Sequence, residues 1–76
     1  MKAYMLITVN TGQIEKVVEH LRRVEGVVEA NMAFGPYDVV AVVKADDIKT
    51  LGKIMAARIQ PIPGVLETLT CLVVDD

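Results

Sequence analysis

The chain has 76 residues, a formal net charge of −2, and 53% hydrophobic residues. A small domain that binds a nucleic-acid backbone needs a basic surface, and the weak negative charge excludes one here. One cysteine excludes an internal disulfide, and one cysteine with one histidine excludes a Cys/His zinc site. We therefore expect a single domain over residues 1–76, in a reduced cytoplasmic setting, with no nucleic acid or membrane bound directly.

The first half of the chain alternates between extended and helical patterns. Residues 2–10 are rich in strand-forming side chains, and Thr11 offers a cap for a following helix. Apolar residues then recur at helical spacing: Ile14, Val17, Val18, Leu21 and Val24. Gly26 ends this helix, and residues 27–34 predict a second, more polar strand.

The second half repeats the pattern. After the Gly35-Pro36 turn, residues 39–45 are nearly all valine and predict a third strand. Asp46 and Asp47 favour a helix start. The buried stripe of that helix is predicted at Ile48, Leu51, Met55 and Ile59. Prolines 61 and 63 end the helix, and residues 65–74 predict the fourth strand.

Two β-α-β halves in tandem indicate an α+β, ferredoxin-like βαββαβ sandwich with a four-stranded antiparallel sheet. Right-handed crossovers place strands 1 and 3 in the centre. Both parities of these central strands are apolar, whereas a helix-free face in water would be polar. We therefore expect this face to pack against a second copy, as in a dimeric α+β barrel.

Signals for catalysis are poor. The chain contains no serine, His20 falls on the flank of the first helix, and Cys71 is expected to be a packed structural thiol. Asp38 follows a turn, where its carboxylate can bind turn N–H groups or receive a cation such as an amino group. Thr68 and Thr70 share one parity of strand 4 and are either ordinary strand residues or ligand-binding hydroxyls.

Three motifs together are similar to a known family. The G-x-Y-D motif at residues 35–38 opens a valine-rich strand, and I-P-G-V at 62–65 and E-T-x-T at 67–70 follow. Over its whole length the chain resembles the RAM domain, the effector-binding module of the leucine-responsive/AsnC (feast-famine) transcriptional regulators. Met1 leads straight into strand 1, so we expect a stand-alone module without the helix-turn-helix.

The resemblance implies homodimers joined through sheet faces, assembly into rings such as octamers, and an amino-acid effector held between dimers. The effector site that it implies consists of Gly35, Pro36, Tyr37, Asp38, Thr68 and Thr70. Asp38 is expected near the ligand's ammonium group, and the threonines near its carboxylate or side chain. No cofactor and no metal are expected.

The resulting hypothesis is an amino-acid-sensing and oligomerisation module that is not an enzyme. One alternative is a small dimeric enzyme of the monooxygenase or isomerase type. Its only plausible catalytic groups are Tyr4, His20, Tyr37 and Asp38, and a cavity lined by His20 and a tyrosine would favour it. Another alternative is a ligand-free interaction module that co-assembles with full-length regulators.

Overall fold

The computed structural model describes residues 1–75, which form one sheet with helices on one side. The strands are β1 (Lys2–Val9), β2 (Val27–Met32), β3 (Val39–Lys44) and β4 (Val65–Leu72). Helix α1 (Ile14–Leu21) joins β1 to β2, and α2 (Ile48–Lys53) continues as a π-helix (Ile54–Ile59) before β4. The βαββαβ order confirms the predicted ferredoxin-like α+β class.

The strands lie side by side in the order β2-β3-β1-β4, and all neighbours are antiparallel. Ile7 of β1 illustrates the register, because it faces Val39 of β3 on one side and Thr68 of β4 on the other. The two most apolar strands therefore occupy the centre, as predicted. Glu29 and Glu67 lie on the edge strands, where carboxylates can reach water.

The core lies between the sheet and the helices. Every second residue of the central strands points into it, because successive side chains of a strand alternate between faces. The sheet contributes the fully buried side chains of Ala3, Met5, Ile7, Val39, Ala41 and Val43. The helical segments contribute those of Val17, Leu21, Leu51 and Ile59.

Helix α1 differs from its predicted form at both ends. It ends at Leu21, and Val24 lies in the turn that follows. The Thr11 cap was wrong: Gln13 holds the cap position, and its N–H donates to the Asn10 carbonyl oxygen at 3.0 Å. A backbone turn therefore starts the helix without a side-chain cap.

Within residues 1–75, no helix has the length and apolar character needed to cross a bilayer.

Helix α2 begins at the predicted aspartate cap. The Thr50 N–H donates to Asp47 Oδ1 at 2.7 Å, and this bond holds the pKa of the Asp47 carboxyl below its usual value. The predicted buried stripe was wrong at Ile48, which is exposed. Ile48 is the first residue of α2 and precedes the π-helix, in which the Gln60 N–H bonds to the Met55 carbonyl oxygen five residues back.

The outer edge of β2 is partly covered by Arg22, which follows α1. Its Nε donates to the Ala30 carbonyl oxygen at 3.0 Å, and its Nη2 donates to Asn31 Oδ1 at 3.4 Å. Because β2 pairs only with β3, its other edge could pair with a foreign strand. Arg22 blocks this edge at one carbonyl and ties the end of α1 to the sheet.

Two turn glycines with positive φ differ in their surroundings. A Cβ on Gly12 (φ +90°) would meet no heavy atom within 4 Å. A Cβ on Gly26 (φ +99°) would lie 2.6 Å from Ile54 Cδ1 and 3.2 Å from the Lys44 carbonyl oxygen. Gly26 therefore permits both a left-handed turn and the close approach of the π-helix.

Alanine substitution should separate these two roles. Gly12→Ala should cost only the left-handed backbone strain, about 1–2 kcal/mol. Gly26→Ala should add the cost of displacing the Ile54 side chain and of crowding the Lys44 carbonyl oxygen, about 1–3 kcal/mol. Urea unfolding of both variants measures the difference, and equal losses of unfolding free energy would contradict the close approach.

Candidate functional site

The loop between β2 and β3 is fastened to the end of β1 through Asp38. The Asp38 N–H donates to the Ile7 carbonyl oxygen at 2.9 Å, and its carbonyl oxygen accepts the Ala33 N–H at 2.9 Å. Its carboxylate oxygen Oδ2 accepts the Val9 N–H at 2.8 Å. The carboxylate therefore binds the neighbouring strand, not the turn N–H groups that were one of the two sequence-based interpretations.

A cleft of about 490 Å³ opens beside this loop. It is lined by Ile14, Met32, Ala33, Phe34, Gly35 and Asp38. Asp38 is the only ionisable residue in this lining, and the other side chains are apolar. Phe34 is fully exposed and Met32 is 58% exposed, so much of this apolar surface faces solvent in the single chain. The cleft thus combines one carboxylate with an apolar wall.

The residues predicted for the effector site do not all meet. Gly35 and Asp38 line the cleft, while Pro36 and Tyr37 belong to the same loop but do not line it. Thr68 and Thr70 lie on β4, on the far side of β1 from the strand that Asp38 precedes. Two strand spacings of about 4.8 Å separate β3 from β4. One chain therefore assembles the loop half of the predicted site without its threonines.

Sequence reasoning missed four lining residues: Ile14, Met32, Ala33 and Phe34. Ile14 is the first residue of α1. Its place in the apolar stripe of that helix predicted a buried core residue. It is only half-buried, because the helix starts where the sheet ends and the cleft opens. Met32 ends β2 and carried no signal beyond its hydrophobicity.

His20 lies in a different surface cleft of about 240 Å³, with Arg58 and apolar residues of the segment 57–63. No tyrosine lines this cleft, and Tyr4 is on the helix-free face of the sheet. The arrangement that would favour an enzyme, a cavity shared by His20 and a tyrosine, is therefore not found among residues 1–75.

The helix-free face of the sheet is the second candidate surface. Its register pairs place Tyr4 beside Val42 and Cys71, and Leu6 beside Val40 and Leu69. These six side chains are exposed or half-buried in the single chain. The expectation that Cys71 is packed was wrong for the single chain, because its strand position points away from the helices. The predicted apolar character of this face is confirmed.

Comparison with known proteins identifies the family. A family model described as the Lrp/AsnC ligand binding domain matches residues 2–76. The chain belongs to the Lrp/AsnC family. This confirms the resemblance carried by the motifs at residues 35–38, 62–65 and 67–70.

Relatives of this Lrp/AsnC domain include a transcriptional regulator. The domain is 29% identical over 63 residues to the HTH-type transcriptional regulator Ptr1 of Methanocaldococcus jannaschii. The aligned segment covers 83% of this chain and 43% of Ptr1. It is thus similar to less than half of that regulator.

Solved structures share the fold over nearly the whole chain. TTHA0845 from Thermus thermophilus is 28% identical with a TM-score of 0.93, covering 99% of this chain and 94% of that one. The regulator NMB0573 from Neisseria meningitidis, solved in complex with L-Met, is 12% identical with a TM-score of 0.86, covering 99% of this chain and 50% of that one. At 12% identity, this second match shows the fold alone.

Removing the Asp38 carboxylate should loosen the loop. Asp38→Ala leaves the partly buried Val9 N–H unpaired, which should lower the free energy of unfolding by about 1–3 kcal/mol. Asp38→Asn retains a side-chain oxygen for that N–H and should keep most of the stability. Urea unfolding compares the two with Asp46→Ala, a change at an exposed aspartate outside the loop. If all three variants unfolded alike, the Asp38–Val9 bond would carry no stability.

Proposed function

We propose that this Lrp/AsnC domain senses an amino acid and couples its binding to self-assembly. The observation that carries the proposal is the cleft beside residues 33–38, where one carboxylate borders an apolar wall. A carboxylate suits a ligand's α-ammonium group, since charge-assisted hydrogen bonds are stronger than neutral ones. The family description as a ligand-binding domain supports the proposal, as does the L-Met complex of the Neisseria regulator of the same fold.

Asp38 can stabilise the fold and bind the ligand at the same time. Its Oδ2 is engaged by the Val9 N–H at 2.8 Å, while no hydrogen bond to Oδ1 is found within residues 1–75. A carboxylate offers about four lone-pair sites, so Oδ1 can accept from an ammonium without releasing Val9. The bond to β1 also fixes the orientation of the carboxylate before the ligand arrives.

The helix-free face is the proposed dimer interface. Apolar side chains of the central strands cover it, and the longer polar residues Glu29, Asn31 and Glu67 lie on its edge strands. An apolar centre with a polar rim is typical of a protein interface. A second copy of the same face would remove the exposed apolar surface from water, and a two-fold axis makes the surface self-complementary.

In this proposal, Thr68 and Thr70 of a neighbouring subunit contact the ligand. In one chain they lie across β1 from the strand that Asp38 precedes, so a ligand bound to Asp38 does not meet them within the cleft. We propose that an assembly larger than a dimer brings the threonines of another copy to this ligand. Gly35, Pro36 and Tyr37 then shape the loop that the second copy approaches.

Linkage explains how such a site regulates assembly. A ligand bound between subunits stabilises the state that contains the interface, by an amount that grows with ligand concentration over its Kd. The regulatory partners that we propose are further copies and full-length Lrp/AsnC regulators, in the cytoplasm. No catalytic step is required, and the known relatives named for a function are transcriptional regulators.

Isothermal titration with the standard amino acids tests the site. We expect at least one to bind the wild-type chain and Asp38→Asn to weaken that binding about 10- to 150-fold, because a hydrogen bond to a charged group contributes about 1.5–3 kcal/mol. Asp46→Asn, the matched loss of one carboxylate outside the loop, should bind like the wild type.

Two results would count against this account. If no amino acid bound, the sensing proposal would fail. If one bound with equal affinity to wild type and Asp38→Asn, sensing would stand but the Asp38 site would not.

A further inference from the structure

The surface cleft of about 240 Å³ that contains His20 differs in charge from the cleft beside Asp38. His20 comes from the last turn of α1, and Arg58 comes from the last turn of the π-helix. The other lining side chains are apolar: Val24, Ala57, Pro61, Ile62 and Pro63. No carboxylate of residues 1–75 lines this cleft, although acidic residues outnumber lysine and arginine by 10 to 8 in the chain. His20 and Arg58 are therefore its hydrogen-bond donors among the lining side chains.

The wall formed by residues 61–63 has no backbone donor to offer a ligand. Pro61 and Pro63 carry no N–H, and the Ile62 N–H already donates to the Ile59 carbonyl oxygen at 3.1 Å. The proline rings also fix the φ angles of two of these three residues. A ligand that contacts this wall must receive its hydrogen bonds from the two donor side chains.

The side chains of His20 and Arg58 are available for a ligand. Both are exposed, and neither makes a hydrogen bond or an ion pair with another part of residues 1–75. Because a guanidinium presents its N–H groups in a planar fork, Arg58 matches the two oxygens of a carboxylate. Two donors without partners in one small cleft can bind the same anionic group.

The charged groups around the cleft also favour an anion. Arg58 is the only charged residue of the π-helix, and the segment that leads from it to β4 carries none. On α1, Lys16 lies one turn before His20 and adds a positive charge. The acidic neighbour Glu19 is paired with Arg23 at 3.9 Å.

The π-helix is a second observation that points to a function at this cleft. Such helices are rare and are found frequently at functional sites. The Gln60 N–H bonds to the Met55 carbonyl oxygen at 2.9 Å, and the turn that this bond closes contains both Ala57 and Arg58. The irregular turn therefore coincides with the part of the helix that borders the cleft.

We propose that this cleft binds a small organic acid. The carboxylate of the acid lies between Arg58 and the protonated ring of His20. Its hydrocarbon part covers the buried side chains of Val24 and Ile62. A volume of about 240 Å³ corresponds to about eight water molecules at about 30 Å³ each, which suits a ligand of a few heavy atoms. The proposal does not rest on amino-acid sensing, because a simple acid has no ammonium group for Asp38.

An NMR titration with 3-methylbutanoate tests the site. His20 is the only histidine of the chain, so its ring protons give signals that report on this cleft alone. These signals should shift saturably in the wild-type chain, and Arg58→Gln should weaken binding at least about fivefold. The affinity should rise as the pH falls from about 8 to about 6, because an imidazole gains its proton over this range.

Lys49→Gln is the matched control, because it removes one positive charge from an exposed residue of α2 outside the cleft. This variant should bind the acid like the wild type. His20→Gln, studied by isothermal titration, should lose the rise in affinity at low pH. Formate, which has the carboxylate without the hydrocarbon part, should bind more weakly than 3-methylbutanoate.

Three results would overturn the proposal: no saturable shift in the wild-type chain, equal binding by Arg58→Gln and Lys49→Gln, or an affinity for formate equal to that for 3-methylbutanoate. None of these measurements involves Asp38. The sensing function is therefore judged separately, by the titration of Asp38→Asn with amino acids.

Discussion

The pairing of β1 with β3 is the constraint on which the rest of the structure depends. Because both strands are apolar at successive positions, each supplies hydrophobic side chains to both faces of the sheet. One set, represented by Met5 and Ala41, is fully buried beneath the helices. The other, represented by Leu6 and Val40, points away from them. A one-residue change of register would exchange the two faces, and the Asp38 bonds to Ile7 and Val9 help to hold the register at this end.

The same loop links the fold to the proposed function. Asp38 binds β1 through one carboxylate oxygen, and it lines a cleft whose other side chains are apolar. A binding site built on the junction of an edge strand, a central strand and a helix start can transmit ligand binding to the sheet. The loop that lines the cleft leads directly into β3, which carries Val40 and Val42 on the helix-free face. In the proposed function, this continuity couples effector binding to assembly.

Much of this organisation could be predicted from the sequence, because it depends on local periodicity. The β-α-β repeat with right-handed crossovers predicted the central strands. The apolar residues at successive positions of β1 and β3 predicted two apolar faces, and Asp47 predicted a helix start. The remainder depends on contacts between distant residues. The bond from Val9 to Asp38, the exposure of Cys71 and the contribution of Ile14 to the cleft follow from how β1, β4 and α1 are placed, and no local pattern encodes that placement.

The most direct test of the account is the mass of the chain in solution, measured by light scattering after size exclusion. The wild-type chain should have at least twice the single-chain mass of 8.3 kDa. Leu6→Lys, which puts a charge in the centre of the helix-free face, should reduce the mass to that of one chain. Ile48→Lys, at an exposed isoleucine on α2, should leave it unchanged. A wild-type chain with the mass of a monomer would contradict the account, as would a Leu6→Lys variant that assembles as the wild type does.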